Sequence, residues 1–172
     1  MQWSRLVREI PDFPRPGVLF RDVLPVMADA AAWQECLGAM EELVRSLSPE
    51  ILVAPEARGY LLAAPLADRL GIGLVPIRKP GKLPGPVLSQ QYALEYGENR
   101  LEMEATAPLR GMRVVVVDDV LATGGTVQAA RRLAQQVGGH VVGFAFLIEL
   151  RELGGRRRLT GGDLPVVSAL VL

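Results

Sequence analysis

A single histidine, His140, and a single cysteine, Cys36, stand among 172 residues, and that scarcity removes several chemistries at once. One cysteine cannot close an intrachain disulfide, and nothing else points to an oxidising compartment. Cys36 sits between Trp33 and Met40 at helical spacing, which suits a small core residue. A zinc centre, a Ser-His-Asp triad or a histidine general base would each have to rely on His140, and no partners stand at suitable spacing. His140 therefore reads as a surface or boundary residue. Net charge is also missing: 19 Lys plus Arg balance 19 Asp plus Glu, which argues against wrapping nucleic acid. The one sustained basic run, Arg156-Arg157-Arg158, is short enough to be a solvated face or turn. The longest uncharged apolar stretch, GGHVVGFAFLI, is far too short to span a bilayer. Arg5, Arg8 and Glu9 interrupt the first ten residues, where a signal peptide would need an apolar core. These absences imply a soluble, cytoplasmic protein with neither a membrane nor a nucleic acid as partner.

What is present describes a globular α/β chain. Hydrophobic residues make up 49% and charged residues 22%, near the average for folded soluble proteins, and the length suits a single domain over 1–172. Residues 2–10 predict a short helix ended by Pro11, followed by the Pro-punctuated loop PDFPRPG and an extended piece, VLFRDVLP. Asp29 can cap the next helix, in which Trp33, Cys36, Leu37, Met40, Leu43, Val44 and Leu47 share one face. From residue 51 strands and helices alternate. ILVAP, GLVPIRK, MRVVVVDD and VVGFAFLIEL read as buried strands, while GYLLAAPLADRLG and GGTVQAARRLAQQVGG read as helices closed by glycine. That rhythm predicts a mostly parallel central sheet flanked by helices.

Residues 79–110 break the rhythm. A connection so long and polar in a compact domain is usually a lid or binding loop. Within it SQQYALEY and NRLEME alternate and could pair as a two-stranded ribbon joined through Gly97.

The most informative segment is VVVVDDVLATGGTVQAARRLA. A buried strand runs into Asp118 and Asp119, then a loop, Ala122-Thr123-Gly124-Gly125-Thr126, opens a helix. Glycines let the backbone approach a ligand, and the unpaired N–H groups and dipole of a helix start favour a phosphate there. Thr123 and Thr126 add hydroxyl donors. Carboxylates just before the loop would repel a phosphate but suit sugar hydroxyls, so the pattern describes a ribose 5-phosphate. No lysine follows the glycines as a Walker loop requires, and the G-x-G-x-x-G of a dinucleotide fold is missing.

The string DDVLATGGT resembles the phosphoribosyl pyrophosphate (PRPP) motif of the type I phosphoribosyltransferases. PDFPRPGVLFRD near the start, EARG at 56–59, RKPGKLPG at 78–85 and LEYG at 94–97 extend the resemblance to the adenine-specific branch, over residues 10–153. It implies that fold, with a base-binding hood at 10–27 and a flexible flap at 79–110. The implied activity is transfer of the phosphoribosyl group from PRPP to adenine, giving AMP and pyrophosphate. Other bases (xanthine, hypoxanthine, orotate) or a non-catalytic PRPP sensor are the alternatives.

The resemblance also assigns roles. Asp118 and Asp119 would hold ribose, with the 122–126 loop on the 5-phosphate. Glu56, Ala57, Arg58, Gly59, Arg78, Lys79 and Lys82 would face pyrophosphate, with Arg78 reaching the neighbouring subunit of a homodimer. A cis peptide is expected at Glu56–Ala57. Mg²⁺ would arrive bound to PRPP rather than in a dedicated cage. Leu19, Phe20, Arg21, Val120 and Leu150 would bind the base, with Phe20 stacked on it. Glu95 would manage the purine proton as general acid/base, beside Tyr96 in the flap. Val120 replaces a leucine common in relatives, and the C-terminal GGDLPVVSALVL is shorter than in many members, which puts the packing of the last strand in question.

Overall fold

The computed structural model describes residues 2–94, 97–160 and 164–172, in two compact units, Met1–Ala39 and Met40–Leu172. In the first, a 3-10 turn at Trp3–Leu6 leads into β1 (Arg8–Ile10), which pairs antiparallel with β2 (Phe20–Asp22). The helix expected over 2–10 is thus confined to the 3-10 turn at Trp3–Leu6, and its last three residues form a strand. The physical reason is a partner: Arg8 faces Asp22 in the ladder, its guanidinium lies 2.5 Å from the Asp22 carboxylate, and Arg21 pairs with Glu9. The expected extended piece holds through Phe20–Asp22, and a short helix, α1 (Leu24–Ala28), takes over its last two residues. Pro25 fits its first turn because no N–H is needed there. Asp29 caps α2 (Ala30–Ser46) as anticipated, accepting the Ala32 N–H at 2.9 Å. Cys36, Leu37, Met40, Val44 and Leu47 form its buried face.

The second unit contains β3 (Ile51–Pro55), α3 (Arg58–Leu70), β4 (Gly73–Ile77), β5 (Val87–Leu94), β6 (Gly97–Glu104), β7 (Arg113–Leu121), α4 (Gly125–Gln136), β8 (His140–Glu149), α5 (Gly155–Thr160) and β9 (Val166–Val171). Five strands form one parallel sheet in the order β4-β3-β7-β8-β9. The last strand pairs with β8 from Phe144↔Val166 to Glu149↔Val171, so the short C-terminus still completes the edge.

Alternation divides the core between two faces. Ile51, Val53, Val114, Val116, Phe144 and Phe146 join Val127, Ala130 and Leu133 of α4 in one cluster. Leu52, Ala54, Val115 and Val117 point to the other face and are equally buried, and α3 lies against β3 and β7. A β-branched run covered on both sides is what a central parallel strand requires. Burying each such side chain stabilises the fold by roughly 1.5–3 kcal/mol. Among the described residues no helix is long and apolar enough to cross a membrane.

The long connection forms the expected ribbon, with β5 and β6 in register from Val87↔Glu104 to Leu94↔Gly97. Its second half is less of a lid than its polarity suggested. Leu101, Met103, Ala107 and Leu109 belong to the main core, because the alternation in Leu-Glu-Met-Glu turns its apolar members inward.

The basic run also departs from expectation. Arg156 lies in α5 and is not merely solvated: its Nε and Nη2 donate to the Glu149 carboxylate at 2.7 and 2.5 Å, and Nη1 donates to the Val166 carbonyl at 2.7 Å. Only Arg157 and Arg158 face water. Arg156, helped by Ser168, holds the buried Glu149 carboxyl below its ordinary range. Replacing Arg156 with Met would strand that charge. The expected loss in urea unfolding is roughly 2–4 kcal/mol, under the ~3–5 kcal/mol for fully buried pairs because the Arg156 side chain is 42% exposed.

Candidate active site

The sheet order reverses direction between β3 and β7, and open α/β sheets bind ligands at the carboxyl ends of strands beside such a point. The two strands pair only through Ile51↔Val114, Leu52↔Val115 and Val53↔Val116. Beyond Val116 the α3 entry comes between them. A Cβ on Gly59 would sit 3.0 Å from Asp118 Oδ1 and 3.3 Å from the Val117 carbonyl oxygen, so only glycine lets the turn come this close. The sequence motifs EARG and DDVLATGGT therefore meet at one edge. The Glu56–Ala57 peptide is cis, as the resemblance implied.

Past the acids, β7 runs on to Leu121, two residues beyond the strand end expected at Asp119. Its partner explains the extension: Val120 pairs with Ile148, and the Leu150 N–H donates to the Leu121 carbonyl at 2.9 Å. The turn into α4 passes through Gly124, whose φ of 81° favours glycine. The first intrahelical bond runs from the Gln128 N–H to the Gly124 carbonyl at 3.0 Å. The N–H groups of Gly125, Thr126 and Val127 precede it and have no intrahelical partner, which makes an anion cradle.

A residue that sequence reasoning missed supports this loop. A Cβ on Gly155 would meet the Ala122 carbonyl oxygen at 2.2 Å and Leu121 Cδ1 at 2.8 Å, and one on Gly124 would approach the Gly155 carbonyl oxygen at 3.2 Å. The start of α5 is pressed directly onto the cradle. The Gly154-Gly155 pair was the available signal, but nothing in the sequence said which backbone it faces.

Acids and cations at this edge are paired with one another. Arg58 Nε lies 2.6 Å from Asp119 Oδ2, an ion pair out of hydrogen-bond alignment. Asp119 is 3% exposed. Loss of water around the neighbouring Asp118 carboxyl, then the charge of Asp119, pushes Asp118 well above the usual carboxylate range. Glu56 draws the base of the ribbon inward: Lys82 Nζ donates to Oε1 at 2.5 Å, the Lys79 N–H donates to Oε2 at 2.9 Å, and Arg78 Nε stands 3.5 Å away. Lys82 foremost, with the Lys79 N–H next, holds the Glu56 carboxyl down at about 2.

Two further residues, invisible as motifs, fix this corner. Glu102 of β6, 7% exposed, accepts the Gly81 N–H at 2.9 Å and the Ser89 hydroxyl at 3.2 Å. Its backbone exchanges hydrogen bonds with Arg78 at 2.9 and 2.8 Å, fastening the ribbon to the sheet edge. The Tyr60 hydroxyl donates to the Ile77 carbonyl at 2.5 Å, and burial, then the Glu56 charge, pushes it up to about 12.

Asp118, Asp119, residues 122–126 and residues 56–59, with Arg78, Lys79 and Lys82, are therefore brought to one region. Val120 and Leu150 are half-buried close by in sequence on β7 and after β8. Leu19, Phe20 and Arg21 lie in the first unit, where Phe20 packs edge-on against Phe13 with ring centroids 5.1 Å apart. Glu95 and Tyr96 lie outside the described residues. No cluster of three or more His, Cys, Asp or Glu able to hold a metal occurs among the described residues. His140 is exposed, as expected.

The comparisons with known proteins agree with this geometry. The family model described as "Phosphoribosyl transferase domain" matches residues 27–160. An adenine phosphoribosyltransferase of Synechococcus sp. is 51% identical over 95% of this chain and 92% of its own. The crystal structure of the adenine phosphoribosyltransferase from Thermoanaerobacter pseudethanolicus matches with a TM-score of 0.92 and 46% identity, covering 99% of this chain and 98% of that one. The Saccharomyces cerevisiae enzyme, complexed with an imino-altritol bisphosphate and adenine, matches at a TM-score of 0.90 and 35% identity over 98% and 97% of the two chains.

Two outcomes test the geometry. Gly155→Ala forces its methyl into the Ala122 carbonyl, so isothermal titration with ribose 5-phosphate should show affinity reduced roughly tenfold or more, the worth of about one charge-assisted hydrogen bond. The pairing of Glu56 predicts a pH dependence. Its folded-state pKa, about 2, lies below the ~4.3 of an unfolded glutamate, so its contribution to stability is present above the unfolded value and lost as pH falls through the folded one. The stability difference between wild type and Glu56→Gln should therefore be constant above about pH 5 and shrink toward pH 2 in denaturant titrations.

Proposed function

This chain belongs to the phosphoribosyltransferase family, and from that footing we propose how its site performs the adenine reaction. The enzyme transfers the 5-phosphoribosyl group of PRPP to adenine, releasing AMP and pyrophosphate. The observation that carries the reading is the convergence, at one switch point, of a helix-start anion cradle, a pair of acids and a cation-rich turn.

In the reaction the purine nitrogen forms a bond to the anomeric carbon as the bond to the pyrophosphate oxygen breaks, through an oxocarbenium-like transition state. No protein nucleophile is needed. Catalysis is then positioning and charge stabilisation. We assign the 5-phosphate to the N–H groups and hydroxyls of residues 122–126, and the ribose hydroxyls to Asp118 and Asp119. The 56–59 turn, Arg78, Lys79 and Lys82 take the pyrophosphate end. Leu19, Phe20, Arg21, Val120 and Leu150 frame the base, Tyr96 belongs to the flap, and Glu95 carries the proton of the imidazole ring. Residues 10–27 act as the base-binding segment, and the part of 79–110 that lies outside the core acts as the flap.

Mg²⁺ fits as a companion of PRPP. Two adjacent carboxylates, one of them already engaged by Arg58, suit a hydrated ion held by the substrate better than a protein cage. The ion supplies charge neutralisation to the pyrophosphate. We further propose that the enzyme works in the cytoplasm as a homodimer.

A PRPP-dependent assay against a panel of bases tests this reading. Adenine should give AMP, and guanine, hypoxanthine and orotate should react at least roughly a hundredfold less efficiently, since exchanging a purine's amino group for an oxo group leaves buried polar partners unpaired. Equal or better turnover of a 6-oxopurine would overturn the base assignment.

A further inference from the structure

Glu56 is an odd member of a pyrophosphate-binding turn, because a carboxylate repels the group that the turn must hold. Its surroundings resolve the contradiction. Two donors and a further cation at the base of the ribbon converge on it: the Lys82 ammonium donates at 2.5 Å and the Lys79 N–H at 2.9 Å, while the Arg78 guanidinium stands 3.5 Å away as an ion pair. These are two cations and a backbone amide that a pyrophosphate oxygen would itself attract. The carboxylate is 10% exposed, while Lys82 is 46% exposed and open to solvent. The opposite side of the turn repeats the arrangement, with Arg58 held by Asp119 at 2.6 Å.

We infer that Glu56 acts as a built-in competitor of the pyrophosphate group, occupying Lys82 and the Lys79 N–H in the free enzyme and reclaiming them as the product leaves. The inference rests on the pyrophosphate assignment of the preceding subsection. A site built only of cations would bind a polyanionic product tightly and release it slowly. An internal anion raises the cost of binding by requiring one ion pair to be broken for each one formed. It lowers the barrier to release by the same logic, since the cations always have a partner to return to. Glu56 is held in place for this task. The preceding peptide is tied to the sheet by the Glu56 N–H donating to the Ile77 carbonyl at 2.8 Å. The ribbon base is held from the other side by Glu102 through the Gly81 N–H at 2.9 Å. The donors therefore stay near whichever anion is present.

The test is titration of folded wild type and Glu56→Gln with inorganic pyrophosphate plus Mg²⁺ and, separately, with PRPP plus Mg²⁺. Glu56→Gln keeps the shape and an acceptor for the Lys79 N–H but removes the competing charge. Pyrophosphate should bind roughly tenfold tighter, the scale of one charge-assisted hydrogen bond, and stopped-flow release should slow by a similar factor. The gain should vanish in a Lys82→Met background, since it depends on freeing Lys82. Should Glu56→Gln fail to fold, Glu56→Asp withdraws the carboxylate by one methylene, and tighter binding by a smaller factor is expected. Unchanged or weaker pyrophosphate binding in the folded variant would overturn the inference, as would an equal gain in the Lys82→Met background. Failure of the catalytic reading looks different: wild type would bind neither ligand and form no AMP.

Discussion

The site depends on how β3 and β7 pair and then part. Three residue pairs in parallel register hold the strands together through Val53 and Val116, and the buried valines on both faces of β7 keep that register from slipping. Beyond the third pair the backbones diverge enough to admit the entry of α3. The catalytic edge is the space so created. Had the pairing continued for three more residues, Glu56 and Asp119 would be neighbours in a ladder rather than members of opposite walls.

Glycines convert that opening into a close-fitting surface. Gly59 brings the α3 entry against Asp118, and Gly155 brings α5 against the phosphate loop, each at a distance that a single methyl would violate. The Gly155 contact is the stiffer of the two, because the Ala122 carbonyl, backbone rather than a flexible side chain, stands on the far side. The anion cradle is therefore preorganised by its neighbours, which is where an enzyme without a nucleophile gains most of its rate.

Charge at the edge is balanced internally before any substrate enters. Arg58 rests on Asp119, Lys82 on Glu56, and Asp118 is driven toward its neutral form. This self-neutralisation lets a cluster of six ionisable side chains (Glu56, Arg58, Arg78, Lys82, Asp118 and Asp119) share a partly desolvated region without the repulsion that like charges would impose. On the proposed assignment of these residues, substrate recognition becomes an exchange of partners rather than the filling of a charged void.

The α/β rhythm, the central position of the VVVV strand, the helix capped by Asp29 and the glycine turn into a helix at 122–126 were legible in the sequence by itself. Each is set by local periodicity, capping chemistry or glycine placement within a few residues. The family resemblance singled out EARG, RKPGKLPG and LEYG, whose roles stand as proposals. What only the tertiary structure decided are the relations between distant segments. Residues 8–10 are a strand because residues 20–22 are there to pair with them. Arg156 is a structural cation because Glu149 is buried beside it, and Leu101 and Met103 are core because the ribbon lies on α4. Gly155, Glu102 and the true partner of Glu56 were hidden for the same reason. Their meaning depends on which backbone or charge the fold sets within a few ångströms, 33 residues away for Gly155 and Ala122 and 26 for Glu56 and Lys82, and no local pattern encodes that.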